Sequence, residues 1–204
     1  MGAHERTGGR ARCPRCGRAL AGCLCACVHP LDNRNPVLII QHPQEEHQAK
    51  GTARLLQLCL SRCERRIGDC LEAPGLSPPG GWLLLYPDEA GSPPTPPRLP
   101  LPPDAGLVLL DGTWRQSRAL LRRSPWLQDL RRLPLQAVPP SLYTIRRAQA
   151  AHQLSTLEAA ALALQRLDPD HGAEVDALWA AMRDFVALQQ RLEAQGRLRV
   201  STGL

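Results

Sequence analysis

The stretch LVLLDGTWRQSRALLRR, residues 107–123, decides the fold. Its first five residues, 107–111, are a nearly continuous apolar run closed by an aspartate, the pattern of a strand covered on both faces. Gly112 permits a sharp turn. Thr113 with Gln116 three residues later fits a capping box, so a helix opens there, runs to about Arg123 and stops at Ser124-Pro125. Working outward, residues 36–41 (PVLIIQ) and 82–86 (WLLLY) read as two further buried strands. Between them Ala49, Ala53, Leu56, Leu60 and Ile67 recur at helical spacing, which predicts one amphipathic helix over residues 46–66. Residues 142–145 make a fourth short strand. Ser155-x-x-Glu158 is a second capping box, opening an alanine- and leucine-rich helix to Leu167, and Asp168-Pro169 separates it from a last helix over 173–195. Strands alternating with helices predict an α/β domain with a mostly parallel sheet flanked by helices. Residues 91–103 hold seven prolines in thirteen positions, which excludes helix and central strand and leaves an extended surface loop.

The 204 residues suffice for one ordinary domain and a small appendage; 43% hydrophobic and 22% charged residues exclude a disordered chain. No apolar run approaches the ~20 residues a membrane helix needs, and the basic start lacks the apolar core of a secretory signal. A cytoplasmic protein with no membrane partner is expected. The formal charge is +6, and Lys50 is the only lysine among 25 cationic residues. Residues 111–150 hold eight arginines against Asp111 and Asp129. Arg115, Arg118, Arg122 and Arg123 recur at three- and four-residue intervals, one basic helix face suited to a phosphate polyanion.

Five cysteines crowd into CPRCGRALAGCLCAC, residues 13–27. A CxxC followed by glycine presents two thiolates to one ion, and a CxC group six residues on supplies two more. Cys13, Cys16, Cys23 and Cys25 are the expected tetrahedral ligands of a structural Zn²⁺, with Cys27 competing for the fourth place. Residues 1–32 are therefore read as a tail and zinc knuckle, and 33–204 as the α/β domain. Cys59, Cys63 and Cys70 fall on the helical pattern and read as thiols packing as small hydrophobes.

Ligands of an open parallel sheet bind beyond the carboxyl ends of its strands. Three polar clusters fall there: Gln41-His42-Pro43-Gln44-Glu45, Tyr86-Pro87-Asp88-Glu89 and Asp111-Gly112-Thr113-Trp114-Arg115. The DGTW segment, the leading cysteines, QHPQEEHQAKGTARLL, LLYPDEA and SLYTIRRAQAAHQLSTLEAAALAL occur in one order from about Cys13 to Leu164. Together they resemble the DTW-domain family, the tRNA-uridine aminocarboxypropyltransferases. The extra Cys27 and the long proline loop depart from that family's common pattern.

The resemblance implies a SPOUT-like fold whose C-terminal part is knotted around S-adenosylmethionine. It also implies transfer of the 3-amino-3-carboxypropyl group of that co-substrate to N3 of a tRNA uridine, releasing methylthioadenosine. Asp111 is then the candidate general base or orienting acceptor for N3–H, with the alternative that it only fixes the turn. Because an ordinary carboxylate is a weak base, a desolvated pocket would have to strengthen it. Thr113 and Trp114 complete the catalytic candidates, Thr113 also as a helix cap and Trp114 as a stacking face. Tyr86, Pro87, Asp111, Tyr143, Ile145, Leu154 and Ser155 are the expected co-substrate contacts. His42, Glu45, Arg54, Arg115, Arg118, Arg122 and Arg146 are those expected to meet tRNA. No DNA partner is expected, and no residue decides the oligomeric state. Two other readings stand beside this one: a SPOUT-type RNA methyltransferase and a non-catalytic zinc-containing RNA-binding protein.

Overall fold

The computed structural model describes residues 11–87, 100–136, 138–143 and 154–196. Five strands form one sheet: β1 (Val37–Gln41), β2 (Cys63–Ile67), β3 (Trp82–Leu84), β4 (Gly106–Asp111) and β5 (Arg131–Arg132). Their order is β2-β1-β4-β3-β5, and every neighbouring pair is parallel. The helices are α1 (Ala53–Cys59), α2 (Trp114–Arg123), α3 (Thr156–Leu167) and α4 (Asp176–Ala194).

β1 is buried along its whole length and β4 at every position but Leu110, because both faces are covered. One face carries Val37, Ile39, Leu107 and Leu109 against Leu55, Leu56, Leu157, Ala160 and Phe185 of α1, α3 and α4. The opposite face carries Leu38, Ile40 and Val108 against Leu120 and Leu121 of α2. Since β1 leads to α1 and β4 to α2 on opposite faces, their adjacent carboxyl ends form a topological switch point, where doubly wound sheets bind ligands. The knuckle shares the first of these cores: Leu24 and Leu31 pack in the same cluster as α4, and His29 bonds Asp184 of α4 at 2.7 Å.

Three expectations are corrected. The helix expected over 46–66 is only Ala53–Cys59. Gly51 disfavours helix before it, and residues 63–67 leave it to become β2. That strand reads CERRI, with an exposed or half-buried pattern instead of an apolar one, because it lies at the sheet edge where charged side chains discourage further pairing. Consequently Cys63 sits on a strand and Cys70 in an exposed loop, its thiol 3.0 Å from the Arg123 carbonyl oxygen; of the three thiols only Cys59 is a helical core residue. The second edge strand, Arg131–Arg132, escaped notice for the same reason as β2. Leu142 and Tyr143 are not in a strand, and residues 144–145 lie outside the described residues.

Both capping boxes form, on Thr113 with Gln116 and on Ser155 with Glu158. Glu158 is fully buried; beyond its cap bond to the Ser155 N–H at 2.8 Å, its carboxylate accepts from Ser141 Oγ at 2.9 Å and the Leu142 N–H at 2.7 Å. The start of α3 is thereby tied to residues 141–142.

Gly106 opens β4 beneath the Trp82 ring, which a Cβ would meet at 2.4 Å. Gly106→Ala should cost about 1–3 kcal/mol in urea unfolding through overpacking. Gly75→Ala, where a Cβ meets nothing within 4 Å, should change stability by less than about 1 kcal/mol.

Candidate functional site

The carboxyl ends of β1 and β4 are in register, Gln41 beside Asp111. Asp111 is 7% exposed, and both of its carboxylate oxygens are engaged. Oδ2 accepts from Gln41 Nε2 at 2.7 Å, and Oδ1 accepts from the Thr156 hydroxyl at the start of α3. The other end of the Gln41 amide accepts from the Arg65 guanidinium on β2, which also bonds Gln57 Oε1 at 3.0 Å. Three elements thus meet on one buried carboxylate, and β2 and α1 are joined to it through Gln41 and Arg65.

Directly after it, Gly112 is closely packed: a Cβ would lie 3.0 Å from Gln116 Cβ, tighter than an ordinary contact, and 3.6 Å from His42 Cβ. The Thr113 N–H donates to Gln116 Oε1 at 2.6 Å, and Gln116 Nε2 donates to Gln44 Oε1 at 3.0 Å, which holds the turn after β1 against the start of α2.

Beyond these strand ends lies a cleft of about 550 Å³. Its walls come from Tyr86 and Pro87 after β3, Gly112 and Trp114 after β4, Leu135 and Val138 after β5, and Leu154, Ser155 and Thr156 at the start of α3. Trp114 is 52% exposed and meets the Tyr86 ring edge-on, with centroids 5.8 Å apart at 74°. The Arg132 guanidinium lies 5.4 Å from the centroid of the Tyr86 ring. The volume suits a nucleoside-sized ligand, and the mostly apolar lining with a few hydroxyls is the usual make-up of such a site.

Of the expected co-substrate contacts, Tyr86, Pro87, Leu154 and Ser155 line the cleft, as does Trp114, while Asp111 lies behind its wall and reaches it through Thr156. Tyr143 does not line it. That side chain is buried against Phe185, with ring centroids 6.3 Å apart, and its hydroxyl donates to the Lys50 carbonyl. Ile145 lies outside the described residues, as do Arg146, Asp88 and Glu89. Thr113 caps α2.

His42 caps the short 3-10 turn Pro43–Glu45, its Nδ1 accepting from the Gln44 N–H at 3.3 Å, and neither His42 nor Glu45 lines the cleft. Arg54 is engaged within the chain: it donates to Gln57 Oε1 at 2.8 Å and to the Arg15 carbonyl at 2.6 Å, joining α1 to the knuckle. Arg115, Arg118 and Arg122 are exposed along one face of α2, and Arg123 pairs with Asp69. Thr156 and Ser117 are cleft residues that sequence reasoning missed. Thr156 hides beside the more conspicuous Ser155 of the capping box, and nothing in its local sequence marks it.

At the knuckle the four sulfurs of Cys13, Cys16, Cys23 and Cys25 lie within 4.8 Å of one another. The Cys13–Cys25 and Cys16–Cys23 separations are 3.6 and 3.7 Å. Tetrahedral thiolates at ~2.3 Å from Zn²⁺ sit about 3.8 Å apart, so the donor set and its spacing fit that ion and leave no open position. The CxxC turn closes through the Gly17 N–H donating to the Cys13 carbonyl at 2.8 Å, with Gly17 at φ 73°, a left-handed value that favours glycine. Backbone N–H groups of Cys16 and Arg15 hold the Cys13 thiol down at about 6, whereas burial and the neighbouring thiols push Cys25 up to about 12. Cys13 is therefore the readiest thiolate of the group, and a cation would favour ionisation of Cys23 and Cys25, whose thiols are raised. Cys27 turns away and packs beside α4, where burial raises its thiol to about 11.

The knuckle also grips the domain. Arg18 donates to the carbonyls of Gln48 at 3.2 Å, Gly51 at 2.8 Å and Ala49, while the carbonyl of Lys50 between them takes the Tyr143 hydroxyl. Thr52 at the end of that loop accepts the Leu157 N–H of α3 at 3.2 Å.

The sequence profile of the DTW domain matches residues 10–190. The chain belongs to the DTW-domain family. Similar proteins include tRNA-uridine aminocarboxypropyltransferase 2 of Macaca fascicularis, 31% identical over 93% of this chain and 67% of the relative. The protein of that name from Drosophila melanogaster is 36% identical over 78% of this chain and 67% of its own length. That of Mus musculus is 31% identical over 93% and 67%. No solved structure matches the chain. Among the described residues no helix is long and apolar enough to cross a membrane. As a DTW-domain protein the chain has its name-giving Asp111, Thr113 and Trp114 divided among three places: behind the cleft wall, in the cap of α2, and on the cleft rim.

Two outcomes follow. Protein purified without chelator should carry one zinc per chain by elemental analysis; Cys16→Ser and Cys25→Ser should lose it and Cys27→Ser retain it. Asp111→Ala strands the Gln41 and Thr156 donors at about 1–3 kcal/mol for each one buried, and should lower the thermal midpoint by ~2–4 °C per kcal/mol.

Proposed function

We propose that this chain is a tRNA-uridine aminocarboxypropyltransferase, which moves the 3-amino-3-carboxypropyl group of S-adenosylmethionine to N3 of a tRNA uridine. The observation that carries the reading is the placement of the Asp111-Gly112-Thr113-Trp114 turn and the start of α3 around one cleft, in a chain similar over most of its length to proteins of that name.

A sulfonium activates three neighbouring carbons, so the product depends on which carbon is held in line with the nucleophile; orientation is the enzyme's main task. The cleft's apolar walls would take the adenosine part, with Leu154, Ser155, Tyr86 and Pro87 as contacts and backbone groups near Ile145 as the remainder. The exposed ring of Trp114 offers a face on which the target base would stack once splayed from its neighbours. A SPOUT-like knotted C-terminal part belongs to the same proposal, supported by the all-parallel sheet and by α3 starting at its carboxyl edge. Zinc, held by Cys13, Cys16, Cys23 and Cys25, would be structural: four protein ligands leave it nowhere to bind substrate.

Arg115, Arg118 and Arg122 have no carboxylate partner among the described residues, and they stand on the helix that starts at the cleft rim. They are the proposed phosphate contacts, with Arg146. Arg54, His42 and Glu45 are better read as supports, given the bonds they make or the turn they form.

Incubated with unmodified tRNA and S-adenosylmethionine, the protein should yield a uridine heavier by one aminocarboxypropyl group by mass spectrometry, and methylthioadenosine as by-product. S-adenosylhomocysteine instead would make it a methyltransferase, and no turnover with intact tRNA binding a non-catalytic RNA binder. Replacing Arg115, Arg118 and Arg122 together by glutamine should raise KM for tRNA at least tenfold. It should also flatten the salt dependence, by a slope of ~0.7–0.9 for each phosphate no longer neutralised. Affinity for S-adenosylmethionine should be unchanged.

A further inference from the structure

A reaction at an imide nitrogen must dispose of the N–H proton, yet neither a carboxylate nor an imidazole is among the described residues that line the cleft. The polar side chains there are Tyr86, Trp114, Ser117, Ser155 and Thr156. Ser155 Oγ is spent on the cap of α3, accepting the Glu158 N–H at 3.3 Å, with Met182 Sδ 3.8 Å away. Indole N–H and phenol O–H are donors and poor bases. Among the described residues no carboxylate accepts from Ser117, which lies in the first turns of α2. Thr156 joins both requirements: it faces the cleft, and its hydroxyl donates to Asp111 Oδ1.

We propose that Thr156 is a catalytic residue of the transfer proposed above, on which this inference rests: its Oγ1 receives the uridine N3 proton and passes its own to Asp111. Donating to Asp111 fixes the hydroxyl hydrogen and leaves the oxygen lone pairs for a donor in the cleft. Asp111 is in turn held by Gln41 Nε2 at 2.7 Å on its other oxygen, and Gln41 by Arg65, so the acceptor pair is set before substrate arrives.

As N3 bonds to the methylene carbon, the carbon–sulfur bond breaks with its electron pair on sulfur, which leaves as neutral methylthioadenosine. The N3 proton moves to Thr156 Oγ1 as the Thr156 proton moves to Asp111 Oδ1, and Asp111 later returns a proton to solvent. Asp111 thereby serves as base without entering the cleft.

The test compares Thr156→Val, which keeps the shape, with Thr156→Ser, which keeps the hydroxyl. Thr156 is not the cap of α3; valine leaves Asp111 Oδ1 without its donor at a cost of about 1–3 kcal/mol, serine restores it, and thermal melts of both variants check that they fold. Thr156→Val should lose about 10²–10⁴ in kcat, the usual worth of general-base help. Its KM for tRNA and its calorimetric affinity for S-adenosylmethionine should stay within threefold, and Thr156→Ser should keep at least a tenth of wild-type kcat. The defect should shrink at pH values alkaline enough to ionise the uridine imide, since the proton is then already gone; a merely structural loss would not recover. A valine variant within threefold of wild type at neutral pH overturns the relay, as does a defect that is constant across pH or matched by weakened co-substrate affinity. If the wild-type protein itself forms no aminocarboxypropyl-uridine, the proposed function falls and the relay with it.

Discussion

One buried carboxylate organises the working end of this protein. Asp111 closes the central strand β4, and a charge there is tolerable only because each oxygen has a donor, Gln41 from β1 and Thr156 from α3. Satisfying that charge fixes three things at once: the register of the two central strands at their ends, the position of the first turn of α3, and the exit direction of the chain into Gly112 and α2. The cleft is the space these commitments leave. Its polarity follows too, since the carboxylate faces the α1 and α3 side of the sheet and only the threonine hydroxyl carries its influence forward.

The knuckle contributes to the same end from the other side. Arg18 gathers carbonyls of residues 48–51, whose remaining carbonyl takes the Tyr143 hydroxyl, while Thr52 holds the backbone of α3. A carbonyl-rich loop of this kind has few backbone bonds of its own, so its shape depends on side chains that reach in from elsewhere. The Cys13 N–H bonds the Arg18 carbonyl at 2.7 Å, and the buried Glu158 does for residues 141–142 what Arg18 does for the loop. The four-cysteine cluster, the loop and the cleft wall are joined by hydrogen bonds of known partners.

Much of this was legible in the chain. The apolar runs at 37–41 and 106–111 had to be buried strands, both capping boxes formed where their hydroxyl and amide or carboxylate partners stood, and the cysteine spacing singled out the four sulfurs that meet. Edge strands escaped, because Cys63–Ile67 and Arg131–Arg132 gain their structure from pairing on one side and need no apolar signature. The helical spacing over 46–66 is longer than the helix itself because apolar residues of a loop, a helix and a strand fall by accident near one period. Nothing local to Tyr143 shows that its side chain stacks on Phe185, far along the chain on α4.

What the sequence by itself determined, then, is whatever depends on neighbours along the chain: which segments bury, where helices begin, which thiols cluster, and the family to which the ordered motifs belong. What only the tertiary structure decided is which side chains face each other across elements. Asp111 is turned from the cleft and Thr156 into it because register and the start of α3 set their directions, and neither quantity is local. A carboxylate seventy residues from its amide partner and forty-five from its hydroxyl partner carries no sign of either until the sheet has formed.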